Sequence, residues 1–239
     1  MGVVLVTGAS TGIGLATARA LRAAGHDVVG ISRSGREGTE VADLSTEDGC
    51  REAVAIARGR GPIRALVLNA GVGSAEDGPI ADLSTAGWRE NMALNLDAPF
   101  FCIREAWGDL AAAGDGRIVL VSSTAALLGA PGMTAYSASK AGILGMMRVV
   151  AQDGAPRGVT CNAVLPGWVR TPMSELSAEA ERASTGRSID EIWRDRAKGY
   201  AAGRVVEADE VAQAIAFLVS PASSGISGEE IRVALGDVW

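Results

Sequence analysis

The chain has little of what most metal and thiol chemistry needs. It carries one histidine, His26, and three cysteines, Cys50, Cys102 and Cys161, scattered and odd in number. No metal-ligand spacing exists among them, so no metal site is expected, and the cysteines suit small buried residues in a reducing cytosol. No apolar run reaches the roughly 18 residues needed to span a bilayer. The start, MGVVLVTGAS, lacks a basic stretch and enters a strand-like run at once, so a signal peptide is not expected. Gly2 is no acceptor for myristate either, because Val6 stands where Ser or Thr is required. Positive charge is in deficit: the net charge of −6 argues against nucleic acid or an anionic membrane as partner. Linkers and internal repeats are missing too. We therefore expect one cytoplasmic domain over 1–239, with a core drawn from the 48% of residues that are hydrophobic.

What the chain does have is alternation. Short β-branched runs at 3–7, 26–32, 39–43, 64–69, 116–122, 159–165 and 230–234 are predicted as strands. Helical patterns lie between them at about 12–24, 46–59, 86–113, 134–154 and 207–218. Strands alternating with helices predict a Rossmann-like, doubly wound α/β fold with a parallel sheet of about seven strands. Such sheets bind ligands beyond the carboxyl ends of their strands.

The first strand end reads VVLVTGASTGIG, passing from strand through glycines into a helix. Gly8 permits a sharp turn, Gly12 a close approach to a ligand, and Gly14 tight helix–sheet packing; the helix N-terminus then favours a phosphate. A mononucleotide P-loop is excluded, since no Gly-Lys-Ser/Thr follows. About 20 residues on, where an acidic residue would select NAD by its ribose hydroxyl, the chain has Ser32 and Arg33. Asp27 is at the wrong end of that strand. A guanidinium fork at Arg33, assisted by Arg36, suits a ribose phosphate, so NADP(H) is favoured over NAD(H).

Residues 136–140 read YSASK. On a helix, Tyr136 and Lys140 share a face. A free phenol ionises near pH ~10, and a lysine cation within reach lowers that by ~1–3 units. The pair can therefore be a proton-transfer device; equally, such pairs occur on ordinary helix surfaces.

Together with these, LNAG (68–71), Asn95, Ser123 and PGWVRTP (166–172) make the chain resemble the short-chain dehydrogenase/reductase family along essentially its whole length. The resemblance implies an NAD(P)-dependent enzyme in which Tyr136 is the acid/base and Lys140 lowers its pKa and holds the nicotinamide ribose. Ser123, thirteen residues before Tyr136, would hydrogen-bond the substrate carbonyl. Asn95 would help maintain a water-linked proton relay. The implied coenzyme groove comprises Gly8, Ser10, Thr11, Gly12, Ile13, Gly14, Ser32, Arg33, Asp43, Leu44, Asn69, Ala70, Gly71, Tyr136, Lys140, Pro166, Gly167, Val169 and Thr171, with Asp43 at the adenine. Ser122 rivals Ser123, but strand neighbours point to opposite faces, so one of the two faces the site. Three departures stand out. Thr11 occupies a place that is basic in many NADP-preferring relatives. ALGD (234–237) replaces the usual Asp-Gly-Gly. AGHDVVGIS followed by VADLST looks like a bacterial hydroxysteroid dehydrogenase branch, whose members tend to carry an acidic residue where Ser32 sits.

Residues 170–203 are polar, with few apolar anchors, and suit a substrate lid. Leu127, Leu128, Met133, Trp168, Met173, Leu176 and Trp193 could make an apolar pocket; each could equally be core. The helix after YSASK is apolar nearly all round and wants burial on more than one side, so a homo-oligomer, tetramer or dimer, is expected. The favoured function is interconversion of a small-molecule ketone and a secondary alcohol. The competing one is a non-redox binding or regulatory protein on the same fold, which has no need of a complete Ser–Tyr–Lys set.

Overall fold

The structure, a computed structural model, describes residues 2–73, 79–129 and 131–237. Seven strands form one sheet in the order β3-β2-β1-β4-β5-β6-β7. They are β1 (Val3–Thr7), β2 (Asp27–Ser32), β3 (Glu40–Val41), β4 (Ile63–Leu68), β5 (Arg117–Val121), β6 (Thr160–Pro166) and β7 (Glu230–Val233). Every pairing is parallel. The chain runs outward from β1 to β3, then returns to place β4 on the other side of β1. This reversal creates the crevice at which doubly wound sheets take their ligands.

Helices cover both faces: α1 (Gly12–Ala23), α2 (Glu47–Arg58), α3 (Thr85–Met92), α4 (Ala98–Ala113), α5 (Thr134–Gly154), α6 (Pro172–Thr185), α7 (Ile189–Lys198) and α8 (Ala208–Val219). Strand side chains alternate between two cores. Val4 and Val6 of β1 pack with Ala18 and Leu21 of α1 and with Val211 and Ile215 of α8. Leu5 of the same strand joins Cys50 of α2, Cys102 of α4 and Met147 of α5. Burial on both faces is why the strands read as near-continuous apolar runs. All three cysteines are free and buried. No described helix is long and apolar enough to cross a membrane.

Two segments differ from the sequence expectation. The helix expected over 86–113 is interrupted: α3 passes through a π turn, Ala93–Asp97, into α4. Pro99 supplies the reason. It has no N–H to give the carbonyl four residues back, which is that of Asn95, so the ladder slips there. Residues 170–203, for which no helix was expected, hold two capped helices. Thr171 and Ser188 each head a capping box, and Ala178, Ile192 and Trp193 bury themselves against Trp168, Ile189 and Val205.

Candidate functional site

The glycine loop lies at the end of β1, over β4. Gly12 has φ 52, and a Cβ there would sit 3.1 Å from Thr171 Cγ2. A Cβ on Gly14 would collide with the Gly8 carbonyl and lie 2.5 Å from Asn69 Nδ2. The loop is tied down by polar contacts from β4. Thr7 Oγ1 accepts the N–H groups of Asn69 and Ala70, both at 3.0 Å, while Asn69 Nδ2 donates to the carbonyls of Thr7 and Gly8 at 3.0 and 3.3 Å. Thr11 precedes α1 without a side-chain cap, and no acidic residue stands in the first turn. The amides of Gly12, Ile13 and Gly14 are thus left for an anion.

At the ends of β2 and β3, the hydroxyl of Ser32 is engaged within the protein. It is buried and used locally: it pairs with Thr39 Oγ1 at 2.7 Å and accepts the N–H of Gly35 at 3.1 Å. Ser32 therefore shapes the turn that leaves Arg33 exposed beside it. Asp43, also exposed, accepts the N–H and hydroxyl of Ser45 at 3.0 and 2.8 Å. Those bonds, and the charge of Arg33 facing it, hold its carboxyl below the usual carboxylate range. Leu44 behind it is buried.

Asn95, fully buried in the π turn, clamps the chain after β4. Its Oδ1 accepts the Val72 N–H at 2.8 Å, and its Nδ2 donates to the Val72 carbonyl at 2.9 Å. Nδ2 also reaches Asn91 Oδ1 at 3.2 Å and Ser139 Oγ at 3.0 Å. Ser139 in turn donates to the Tyr136 carbonyl at 2.7 Å. The side chain of Asn95 is thus a brace joining β4, the π turn and α5. Gly71 lies against it: a Cβ there would stand 2.8 Å from Asn95 Oδ1 and 3.3 Å from Lys140 Nζ.

Lys140 and Tyr136 do share one face of α5, with Nζ 5.7 Å from the phenol ring centroid. Lys140 is buried, and its Nζ donates to the Val121 carbonyl at 2.9 Å. Burial brings its pKa down to about 8, from 10.5. Ser122 and Ser123 part as strand alternation requires. Ser122 Oγ is buried and donates to the Lys140 carbonyl at 2.8 Å. Ser123 is half-buried; its Oγ accepts the Ala125 N–H at 3.1 Å, which leaves its proton to donate elsewhere.

Pro166 ends β6; Gly167, buried Val169 and Thr171 then lead into α6, and Thr171 abuts the glycine loop. Of the suggested pocket residues, Trp193 is core and Trp168 packs on it. Leu127, Met173 and Leu176 are exposed at this end of the sheet, while Leu128 and Met133 are half-buried. His26 sits at the amino end of β2, away from all of these. Among the described residues no cluster of His, Cys, Asp or Glu could hold a metal. Ser139 escaped notice in the sequence, although its place directly before Lys140 was a usable signal. The π turn also escaped, although Pro99 was visible.

The crevice fits a dinucleotide: a cradle that Cβ atoms would fill, free helix amides at one end, and a buried ammonium at the other. Residues 8–236 match the family described as Enoyl-(Acyl carrier protein) reductase. The chain is 34% identical to an acetoacetyl-CoA reductase of Rhizobium meliloti (strain 1021) over 96% of its length and 95% of the relative. It is 33% identical to the 3-oxoacyl-(acyl-carrier-protein) reductase FabG of Vibrio cholerae over 97% and 95% of the two chains. The solved actinorhodin polyketide ketoreductase with NADPH superimposes with a TM-score of 0.91 at 30% identity, covering 98% of this chain and 96% of that one.

Proposed function

We propose that this chain, which belongs to the short-chain dehydrogenase/reductase family and is an NAD(P)-dependent oxidoreductase, reduces a 3-oxoacyl-type ketone to the secondary alcohol with NADPH. The observation that supports this is that Lys140, with Nζ 5.7 Å from the Tyr136 ring, donates to the Val121 carbonyl two residues before Ser123, at a strand end beside the Gly71 turn. The ketone class is suggested by the names of the relatives, which share a carbonyl near a thioester.

The coenzyme, when bound, supplies the hydride. Everything else falls to the protein. Gly8, Ser10, Thr11, Gly12, Ile13 and Gly14 would hold the pyrophosphate at the helix N-terminus. Arg33 would pair with the ribose phosphate, Asp43 and Leu44 would border the adenine, and Asn69, Ala70 and Gly71 would line the groove. Pro166, Gly167, Val169 and Thr171 would close its nicotinamide end. Ser123 and Tyr136 would donate hydrogen bonds to the carbonyl oxygen as negative charge grows there. Tyr136 would then release its proton, with the Lys140 cation stabilising the phenolate. Asn95 would serve by bracing Gly71–Val72 and α5, its own carbonyl being the one that Pro99 cannot engage.

A panel read by the reduced-nicotinamide absorbance tests this. It comprises a 3-oxoacyl thioester, an alicyclic ketone, a 2-enoyl thioester and the corresponding alcohols, each with both coenzymes. We expect the 3-oxoacyl thioester to be reduced fastest and the 2-enoyl thioester to be left untouched. Turnover of none would favour a non-redox binder. Arg33→Ala should raise the Michaelis constant for NADPH by about tenfold or more while moving that for NADH little, since a charge-assisted phosphate pair contributes ~1.5–3 kcal/mol. Equal changes would remove the basis of the coenzyme preference.

We also propose a homo-oligomer. Phe100 of α4 and Val149 of α5 are 45% and 58% exposed, on the two helices whose other faces make the core. A single-chain mass by light scattering at micromolar concentration would contradict it.

A further inference from the structure

Arg196 of α7 is unused by the chemistry above, yet it is one of the more costly groups in the molecule. Its side chain is only 7% exposed, although most charged residues of this segment are exposed. A guanidinium taken out of water is tolerated where its charge is paired and its planar face is stacked. Both conditions hold. Its Cζ lies 3.8 Å from the centroid of the Trp168 ring and 4.9 Å from that of Trp193. The two indoles meet edge to face at 6.4 Å. Its nitrogens donate to the Ser174 carbonyl at 3.1 Å, to Ser177 Oγ at 3.2 Å and to Glu181 Oε2 at 3.1 Å. One residue thus joins α7 and α6 to Trp168.

Trp168 is the residue next to Gly167, within the segment that borders the glycine loop. Its N–H donates to the Tyr200 hydroxyl, and its carbonyl accepts the Val206 N–H at 2.9 Å. Val169 bridges Val206. Tyr200 fills the space over Gly167, where a Cβ would collide with its hydroxyl and lie 2.9 Å from Cε1. The segment from Gly167 to Thr171 is therefore tied to the later part of 170–203 and its exit: by Arg196 through Trp168, and by Tyr200 and Val206. A shift of α6 and α7 cannot leave 167–171 in place, and that stretch touches the glycine loop through Thr171.

We propose that Arg196 is a positioning residue that couples coenzyme docking to placement of the α6–α7 lid over the substrate. It rests on the readings that Pro166–Thr171 borders the coenzyme and that 170–203 covers the substrate. Linkage is reciprocal, so a ligand held under the lid must tighten the coenzyme by the factor that the coenzyme tightens the ligand. A residue that merely fills the Ala178–Ile192–Trp193 cluster would give stability and no such coupling.

The test is the dissociation constant of NADPH, with and without the saturating alcohol product, in wild type and Arg196→Lys. NADPH and the alcohol cannot react, so the ternary complex reports binding alone. We expect the alcohol to tighten NADPH about fivefold or more in wild type, an ordinary coupling magnitude. In Arg196→Lys, which keeps the charge and loses the planar stack, that factor should fall towards one, with NADPH binding alone changed by less than about threefold. Trp168→Leu removes the stack from the other side, keeps the Glu181 pair and should lose the coupling too; it decides the matter if Arg196→Lys fails to fold. Unchanged coupling in the variants, or none in wild type, overturns the role of Arg196 while leaving the coenzyme site standing. No NADPH binding by wild type overturns both.

Discussion

Tyr136→Phe is expected to lower ketone reduction by ~10³-fold or more, with NADPH still binding within about threefold of wild type. The phenol hydroxyl is asked to do two things at once: donate a hydrogen bond to the developing oxyanion and deliver the proton. Loss of general acid catalysis is typically worth ~10²–10⁴-fold, and loss of one donor to the oxyanion adds to it. The backbone of Tyr136 is unaffected, because Ser139 holds its carbonyl and α5 continues through Lys140. Stopped-flow turnover and NADPH fluorescence titration separate the two effects. A variant with near-normal turnover would remove Tyr136 from the chemistry; one that no longer bound NADPH would make it a structural residue.

Lys140→Met is expected to lose activity on the same scale while folding at least as stably as wild type. The buried ammonium is held at a cost: a pKa brought from 10.5 to about 8 corresponds to ~3 kcal/mol at neutral pH. Removing it frees that cost, offset by the Val121 carbonyl left without its donor, worth ~1–3 kcal/mol. The net expected is between no change and a gain of ~2 kcal/mol, read by urea denaturation of the coenzyme-free protein at pH 7. The pH dependence has a definite sign. Below about pH 8 both folded and unfolded wild type carry the charge, so the cost is present in full. Between about 8 and 10.5 the folded lysine has released its proton and the unfolded one has not, so wild type gains stability on the variant as pH rises. A variant several kcal/mol less stable at pH 7 would mean that Lys140 supports the fold and does not burden it.

How far the sequence could be followed depends on where each feature gets its energy. The central strands β1, β4, β5 and β6 were legible because they are buried along nearly their whole length and read as apolar runs, while the edge strands β3 and β7 are short and more exposed and showed mainly by their place in the alternation. The glycine cradle was legible because no other residue fits at Gly12 or Gly14, and YSASK because helical spacing alone puts Tyr136 and Lys140 on one face. Features fixed by tertiary contact were not. The local partners of the Ser32 hydroxyl, Thr39 and the N–H of Gly35, could not be read from the sequence. Trp168 and Trp193 were open between pocket wall and core; their indoles stack on Arg196, a partner 28 residues after the first of them and three after the second. Segment 170–203 seemed short of anchors because a few large residues do the work of many. The break before α4 was encoded at Pro99, but its consequence for the Asn95 carbonyl needs the helix register to be known.

The chain holds only two tyrosines, Tyr136 and Tyr200. The second is pushed up by burial and by the nearby charge of Asp237. Phenolate absorbance titration of the coenzyme complex therefore resolves them, with Tyr136→Phe as the blank. One phenol should ionise well below pH ~10 and vanish in the variant, leaving only a phenol that ionises above it. Two phenols both ionising at or above ~10 in wild type would contradict a tyrosine acidified by its lysine neighbour, and with it the proton transfer proposed at this site.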